Sequence, residues 1–328
     1  MKIFKIEEND AGQRLDKFLK KLLVNSSLSL IYKINRKNKV KVNGKRQDNE
    51  YKIQVWDEIK LFINDDEFEL LTKKTVRNDC DRSGQNEKKS DNFLDKKDII
   101  YEDRDLLIIN KNPGTIVHPG DFKTNEISLI QLVHDYLWNK LNSLTFKPSL
   151  IHRIDKDTSG IIMIAKTKPA LDSMLKQLQD NKIEKYYLAV CIGTLTEKTW
   201  TIKDKIFRIK DAKSENKIKI DNKLWDKAIT HYKVIKENIH DKYSLLECKL
   251  ETGRMHQIRI HLSHIGHPVV WDNTYWNKWE NSFLKRNFGV SRQFLHSYKI
   301  SFIHPTKRVK LTFEAKLKPD MESFLGEI

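Results

Sequence analysis

His152-Arg153-Ile154-Asp155-Lys156-Asp157-Thr158-Ser159-Gly160, running on into Ile161-Ile162-Met163-Ile164-Ala165, decides how the rest of the chain is read. A charged loop that ends in Ser-Gly and enters an unbroken apolar strand puts its side chains at a sheet edge, where a cleft can form. One rival reading is a calcium loop, because Asp155, Asp157, Ser159 and Gly160 fall at its first, third, fifth and sixth positions. The twelfth position must then be a bidentate Glu. It is Lys166, and a strand follows where a helix is required, so calcium is set aside. A turn in which Asp155 merely pairs with Arg153 stays open on spacing alone.

A second charged stretch is Thr252-Gly253-Arg254-Met255-His256-Gln257-Ile258-Arg259-Ile260-His261, continuing to Pro268. Ile258, Leu262 and Ile265 keep helical spacing, and Gly266 with Pro268 is a stop signal. His256, His261, His264 and His267 invite a zinc reading, yet no Cys lies nearby and the four do not share one helical face. No metal is expected. The apolar stripe leaves Arg254 and Arg259 unexplained, and two cations there suit an anionic backbone or a buried carboxylate.

The 328 residues point to about two domains at roughly 150 residues each. Lys plus Arg outnumber Asp plus Glu by 61 to 45, a formal charge of +16, which attracts polyanions. The N-terminus has no apolar signal region, and no apolar run approaches the roughly 20 residues of a membrane span. No membrane partner is expected. Cys80, Cys191 and Cys248 are odd in number and scattered, which fits a reducing cytoplasm better than a disulfide framework.

Toward the N-terminus, Leu15, Phe18, Leu19, Leu22 and Leu23 mark an amphipathic helix, and Ser29 is expected to cap a second one carrying Leu30, Ile31 and Ile34. Val40-Lys41-Val42 enters an Asn43-Gly44 turn, and Tyr51, Ile53 and Val55, then Ile59 and Leu61, read as closing strands. Between Lys33 and Arg46 there are seven basic residues and no acidic one. Lys33, Arg36, Lys37, Lys39, Lys41, Lys45 and Arg46 are therefore candidate phosphate contacts, which give affinity without reading bases. Residues 72–97 are nearly all polar and are expected to form a flexible linker between a module at 1–71 and a domain at 98–328. In the latter, a helix opened by Pro169 (Leu171, Met174, Leu175, Leu178) and strands at 187–192, 243–250, 298–303 and 309–313 imply an α+β fold. A large mixed, mainly antiparallel sheet flanked by helices fits best.

The motifs of nucleotide hydrolysis, dinucleotide redox chemistry, zinc proteolysis and the common serine hydrolases are missing. Against that background HRIDKDTSG at 152–160, KYYLAV at 185–190 and TGRMHQIRIH at 252–261 resemble the signature stretches of the RluA-type pseudouridine synthases. Tyr101-Glu102-Asp103, Asn110-Lys111, Val117-His118-Pro119, Leu295-His296 and His304-Pro305 match as well. Residues 12–19, 31–37 and 40–46 resemble the S4 RNA-binding domain. The resemblance implies an RNA uridine isomerase that needs no cofactor, is monomeric, and acts on large-subunit ribosomal RNA or an assembly intermediate. The rival is a non-catalytic RNA-binding or ribosome-assembly factor that keeps the fold. By resemblance Asp155 is the essential acid at the ribose, Arg259 its cationic partner, and Tyr187 the aromatic group beside the base. His152, Arg153 and Arg254 join the RNA contacts. Departures from the family pattern are Trp56 and Trp271 where Gly is usual, Asn112 for Pro, Met255 for Thr and Trp276 for Gly.

Overall fold

Phe18, Leu19 and Leu23 turn the apolar face of the first helix inward, as their spacing predicts, and are fully buried. The computed structural model describes residues 1–72, 94–119, 126–137, 140–141, 143–208, 218–220, 227–276 and 278–326. Two units emerge. One gathers the described residues of Met1–Phe93 with His134–Pro148 and Lys166–Pro169, and the other holds Leu94–Val133, Ser149–Ala165 and Ala170–Ile328.

The first unit opens with β1 (Lys2–Lys5), α1 (Leu15–Leu22) and α2 (Leu28–Arg36), followed by β2 (Val40–Val42), β3 (Glu58–Leu61) and α3 (Asp65–Thr72). The strands form a sheet in the order β1-β3-β2, and Ile31, Ile53 and Ile59 complete its core. Asn43 and Gly44 both take positive φ (51° and 78°), so Val42 and Lys45 exchange a pair of backbone hydrogen bonds across a tight turn. Two expectations need correction. Ser27, not Ser29, caps α2 by accepting from the Leu30 N–H at 3.1 Å. Residues 51–55 are not a ladder strand: the Tyr51 carbonyl instead accepts from the Leu15 N–H, and the Tyr51 hydroxyl donates to Asp57. The helix α3, with three acids in its first turn, went unread because its apolar residues do not repeat cleanly.

Of the expected linker, 73–93 lie outside the described residues. Its ends are structured: Thr72 closes α3, and the Asp95 side chain caps a short 3-10 turn at Lys96–Asp98.

The second unit begins with β4 (Ile99–Glu102), β5 (Leu106–Lys111), α4 (Leu129–Leu137), β6 (Ser149–Leu150), β7 (Ser159–Ala165), α5 (Lys168–Gln179) and β8 (Glu184–Ile192). It continues with β9 (Thr199–Arg208), β10 (Ile218–Ile220), β11 (Lys227–Ile239), β12 (Tyr243–Leu250), α6 (Gln257–His264) and α7 (Lys278–Phe288), then β13 (Leu295–Ile303), β14 (Lys310–Glu314) and α8 (Pro319–Leu325). The main path of the sheet runs β10-β9-β11-β12-β8-β13-β7-β5-β4, with β14 on β13 and β6 on β7. Among these pairings only β13 with β7 is parallel, so the sheet is mixed and mainly antiparallel.

Both faces of the central strands are covered, which explains why KYYLAVCI lacks polar alternation. Tyr187, Ala189 and Cys191 meet Ile258 and Leu262 of α6, while Val190 and Ile192 face Phe294, Met321 and Phe324. On α5 the expected Leu175 is exposed. Gln177 is buried in its place, its amide exchanging two hydrogen bonds with the Ile303 backbone.

Gly160 sits where β7 passes β13. Its φ is +107°, and a Cβ there would stand 2.2 Å from the Ser297 carbonyl oxygen. Gly160→Ala is therefore expected to cost more than about 3 kcal/mol by urea unfolding, because backbone must move to admit one methyl. Trp56 makes the opposite case. It is 82% exposed at φ 74°, a conformation that L side chains disfavour. Trp56→Gly should be neutral or stabilise by about 0.5–1 kcal/mol in the same assay.

Candidate active site

Arg259 lies in the first turn of α6, its guanidinium held between two carboxylates. Its Nε and Nη2 donate to the two Asp272 oxygens at 2.7 and 2.9 Å, a bidentate fork. Nη2 also donates to the Thr274 hydroxyl at 3.0 Å, and Nη1 donates to Asp155 Oδ2 at 2.8 Å. Asp272 is fully buried and accepts the backbone N–H groups of Thr274 and Tyr275 as well. Burial opposes the charge on Arg259, but the bonds and field of Asp272, and then Asp155, more than offset it and raise the guanidinium above its ordinary pKa. The guanidinium also lies over the Tyr275 ring, 5.3 Å from its centroid.

The entry to α6 is fixed by Gln257. Its amide donates to the Ile229 carbonyl and the Thr230 hydroxyl, and its oxygen accepts from the Thr252 hydroxyl and the Arg254 N–H, all between 2.8 and 3.0 Å. His256, at φ 55°, turns the chain into the helix. Its Nε2 is 3.7 Å from Asp155, its Nδ1 is 3.0 Å from the Tyr275 hydroxyl, and burial lowers its pKa.

Asp155 stands in the loop before β7, and its neighbours are fastened from below. The buried Lys111 ammonium donates to the carbonyls of Lys156, Asn112 and Thr115 at 2.7–3.0 Å. Gln293 donates to the Thr158 hydroxyl at 2.7 Å. Asp155 is thus presented on a backbone held by groups from β5 and from the approach to β13.

Tyr187 comes from the middle of β8 and is buried on the α6 side of the sheet. Burial pushes its phenol up to about 12, and the nearby Asp155 charge acts in the same direction against a hydrogen bond with Ser297. At neutral pH it is a protonated hydroxyl. Asp155, Tyr187 and Arg259 line one cleft with Arg153, Ile154, Arg254, His256 and Leu295.

The three stretches singled out from the sequence therefore converge, and the Asp155–Arg153 turn gives way to a pair with Arg259. His152 is placed differently from Arg153. It does not line the cleft; its Nε2 accepts the Met163 N–H at 3.2 Å, and burial, then the Lys185 charge, lowers its pKa to about 3. In the first unit, Lys33, Arg36 and Arg46 line a separate cleft of about 250 Å³ with Tyr32 and Asn35. Lys37 and Lys45 are also exposed. Lys39 is paired with Glu67 at 3.5 Å, and Lys41 lies over the Phe62 ring. Asp272 and Lys111 are the site residues that sequence reasoning missed. A lone carboxylate ending the apolar run Val269-Val270-Trp271 was the available signal for the first.

Asp272→Asn should leave Arg259 buried with half its compensation. A loss of about 3–5 kcal/mol in stability is expected. Where the chain still folds, turnover should fall at least about 100-fold, since Arg259 loses the fork that aims it. Calorimetry and a single-turnover assay read the two effects separately.

Comparison with known proteins agrees with this geometry. The profile of the RNA pseudouridylate synthase family matches residues 105–264, and that of the S4 domain matches 13–59. Ribosomal large subunit pseudouridine synthase C of Buchnera aphidicola subsp. Schizaphis graminum is 32% identical, over 99% of this chain and 97% of that protein. The protein of the same name from Vibrio vulnificus is 33% identical over 100% and 96%. Among solved structures, human RNA Pseudouridylate Synthase Domain Containing 1 superposes with a TM-score of 0.55 at 25% identity, covering 69% of this chain and 86% of that one. With an S4 domain in front and Asp155, Tyr187 and Arg259 gathered at one cleft, the chain belongs to the RluA-type RNA pseudouridine synthases.

Proposed function

We propose that the protein converts uridines of large-subunit ribosomal RNA to pseudouridine, with Asp155 acting at the ribose. The observation that carries this is the Asp155–Arg259 pair at 2.8 Å, on the wall of a cleft that also holds Tyr187. The reaction breaks the N1–C1′ bond, turns the uracil, joins C5 to C1′, and releases the proton of C5 while N1 takes one up, so that no net proton is gained or lost. It is an isomerisation, so neither oxidant nor hydrolytic water enters the balance, and no cofactor is needed.

Each role follows from the environment described above. Beside Arg259 the Asp155 carboxylate is placed to add to C1′ or to steady positive charge there. Asp272 keeps the guanidinium in line, so that charge at Asp155 is compensated without consuming a proton. Tyr187, a phenol rather than a phenolate, gives the turned base an aromatic face and a hydroxyl to hydrogen-bond. The target nucleotide must first leave its stack, at about a few kcal/mol. Arg153 and Arg254 at the cleft, and Lys33, Arg36 and Arg46 in the S4 unit, can offset that by holding phosphates. The relatives' names carry the choice of large-subunit ribosomal RNA.

The test is a pseudouridine map of ribosomal RNA from cells with and without the gene, and from cells carrying Asp155→Asn. At least one large-subunit position should lose its modification in both deficient strains; an unchanged map would remove the substrate assignment. In the purified protein, replacing Lys33, Arg36 and Arg46 by Gln should flatten the dependence of log affinity on log salt by about 2, at roughly 0.7–0.9 per phosphate contact.

A further inference from the structure

The buried cations of the second unit have visible compensation. Arg259 has two carboxylates, Arg292 has Asp320, Lys318 has Asp98, and Lys111 has three carbonyls. Lys185 does not. It is 7% exposed, and among the described residues neither a carboxylate nor a hydrogen-bond acceptor meets its ammonium. Burial alone lowers its pKa, and no neighbouring negative charge opposes the shift. A lysine side chain buried with no counter-charge is costly, and a methionine of similar length would pack there without that cost.

Its position gives the charge a purpose. Lys185 precedes Tyr187 by two residues on β8, so both side chains leave the same face of the sheet, with their Cα atoms about 6–7 Å apart. The ammonium lies against Gly253, where an added Cβ would stand 3.4 Å from Nζ, and next in the chain is Arg254 of the cleft lining. Its field also reaches His152. Among the buried cations described in the second unit, the one without a partner thus sits where the three signature stretches meet.

We propose that Lys185 binds a backbone phosphate of the RNA next to the reacting nucleotide. The RNA supplies the anion that the protein withholds. This rests on the RNA-modifying reading above, and it adds a ligand contact that does not involve Asp155, Arg259 or Tyr187.

Lys185→Met in the full chain tests it. Three quantities are compared with wild type: the thermal midpoint without RNA, the affinity for a large-subunit ribosomal transcript over a range of salt, and pseudouridine formed in that transcript. The expected result is an unchanged or higher midpoint, binding about tenfold weaker, and a salt slope lower by about one. A variant that fails to fold or melts several degrees lower would show that Lys185 serves the fold and would overturn the proposal. An unchanged salt slope would overturn it as well, whatever happens to turnover, and so would failure of the wild type to bind the transcript at low salt. The binding measurements need no catalysis. If wild type binds but forms no pseudouridine, the reaction assignment fails while the slope still decides the role of Lys185.

Discussion

One guanidinium ties this site together. Arg259 is buried, and a buried charge persists only where its donors find acceptors in good geometry. Asp272 supplies a rigid fork from below and Asp155 completes the set from the cleft side. Asp272 has no exposure and is itself held by two backbone N–H groups, so it anchors the triad. Asp155 is the partly exposed member and the one free to meet a substrate. The order of burial, from Asp272 through Arg259 to Asp155, sets a fixed end and a working end.

The same logic runs through the scaffold. Lys111, Gln293 and Gln257 each spend a buried polar side chain on backbone or hydroxyl groups of a loop that carries a site residue. Loops carry function most accurately when side chains from regular elements fix them, because loop backbones otherwise have few partners. Asp155 and Arg259 thereby hold their separation although neither belongs to a strand of the sheet.

Much of this was legible in the sequence, for identifiable reasons. Tyr243–Leu250 and the turn at Asn43-Gly44 follow from short-range pattern and turn chemistry. Asp155, Tyr187 and Arg259 were reached through signature stretches; spacing alone left Asp155 paired with Arg153 as an equal reading. The convergence of a loop and a helix start 104 residues apart is a property of the sheet, which periodicity does not encode. Asp272 and Lys111 were given no role because a lone Asp or Lys in sequence does not show that its charge is buried and held by a guanidinium or by carbonyls. Gln177 took the place expected for Leu175 because it satisfies a strand end, a tertiary demand that outweighs apolar spacing. The departures Trp56 and Trp271 both sit at positive φ, so the backbone keeps a conformation suited to glycine even where a large ring has replaced it.

The lone parallel pairing, Ser159 with His296 and Gly160 with Ser297, has a consequence for biosynthesis. The acid-bearing loop is made before the strand that seats it, which emerges more than a hundred residues later. A ribosome-bound nascent chain therefore carries Asp155 on an unseated loop until β13 is delivered. The loop at 152–160 gains its seat only once β13 has been made.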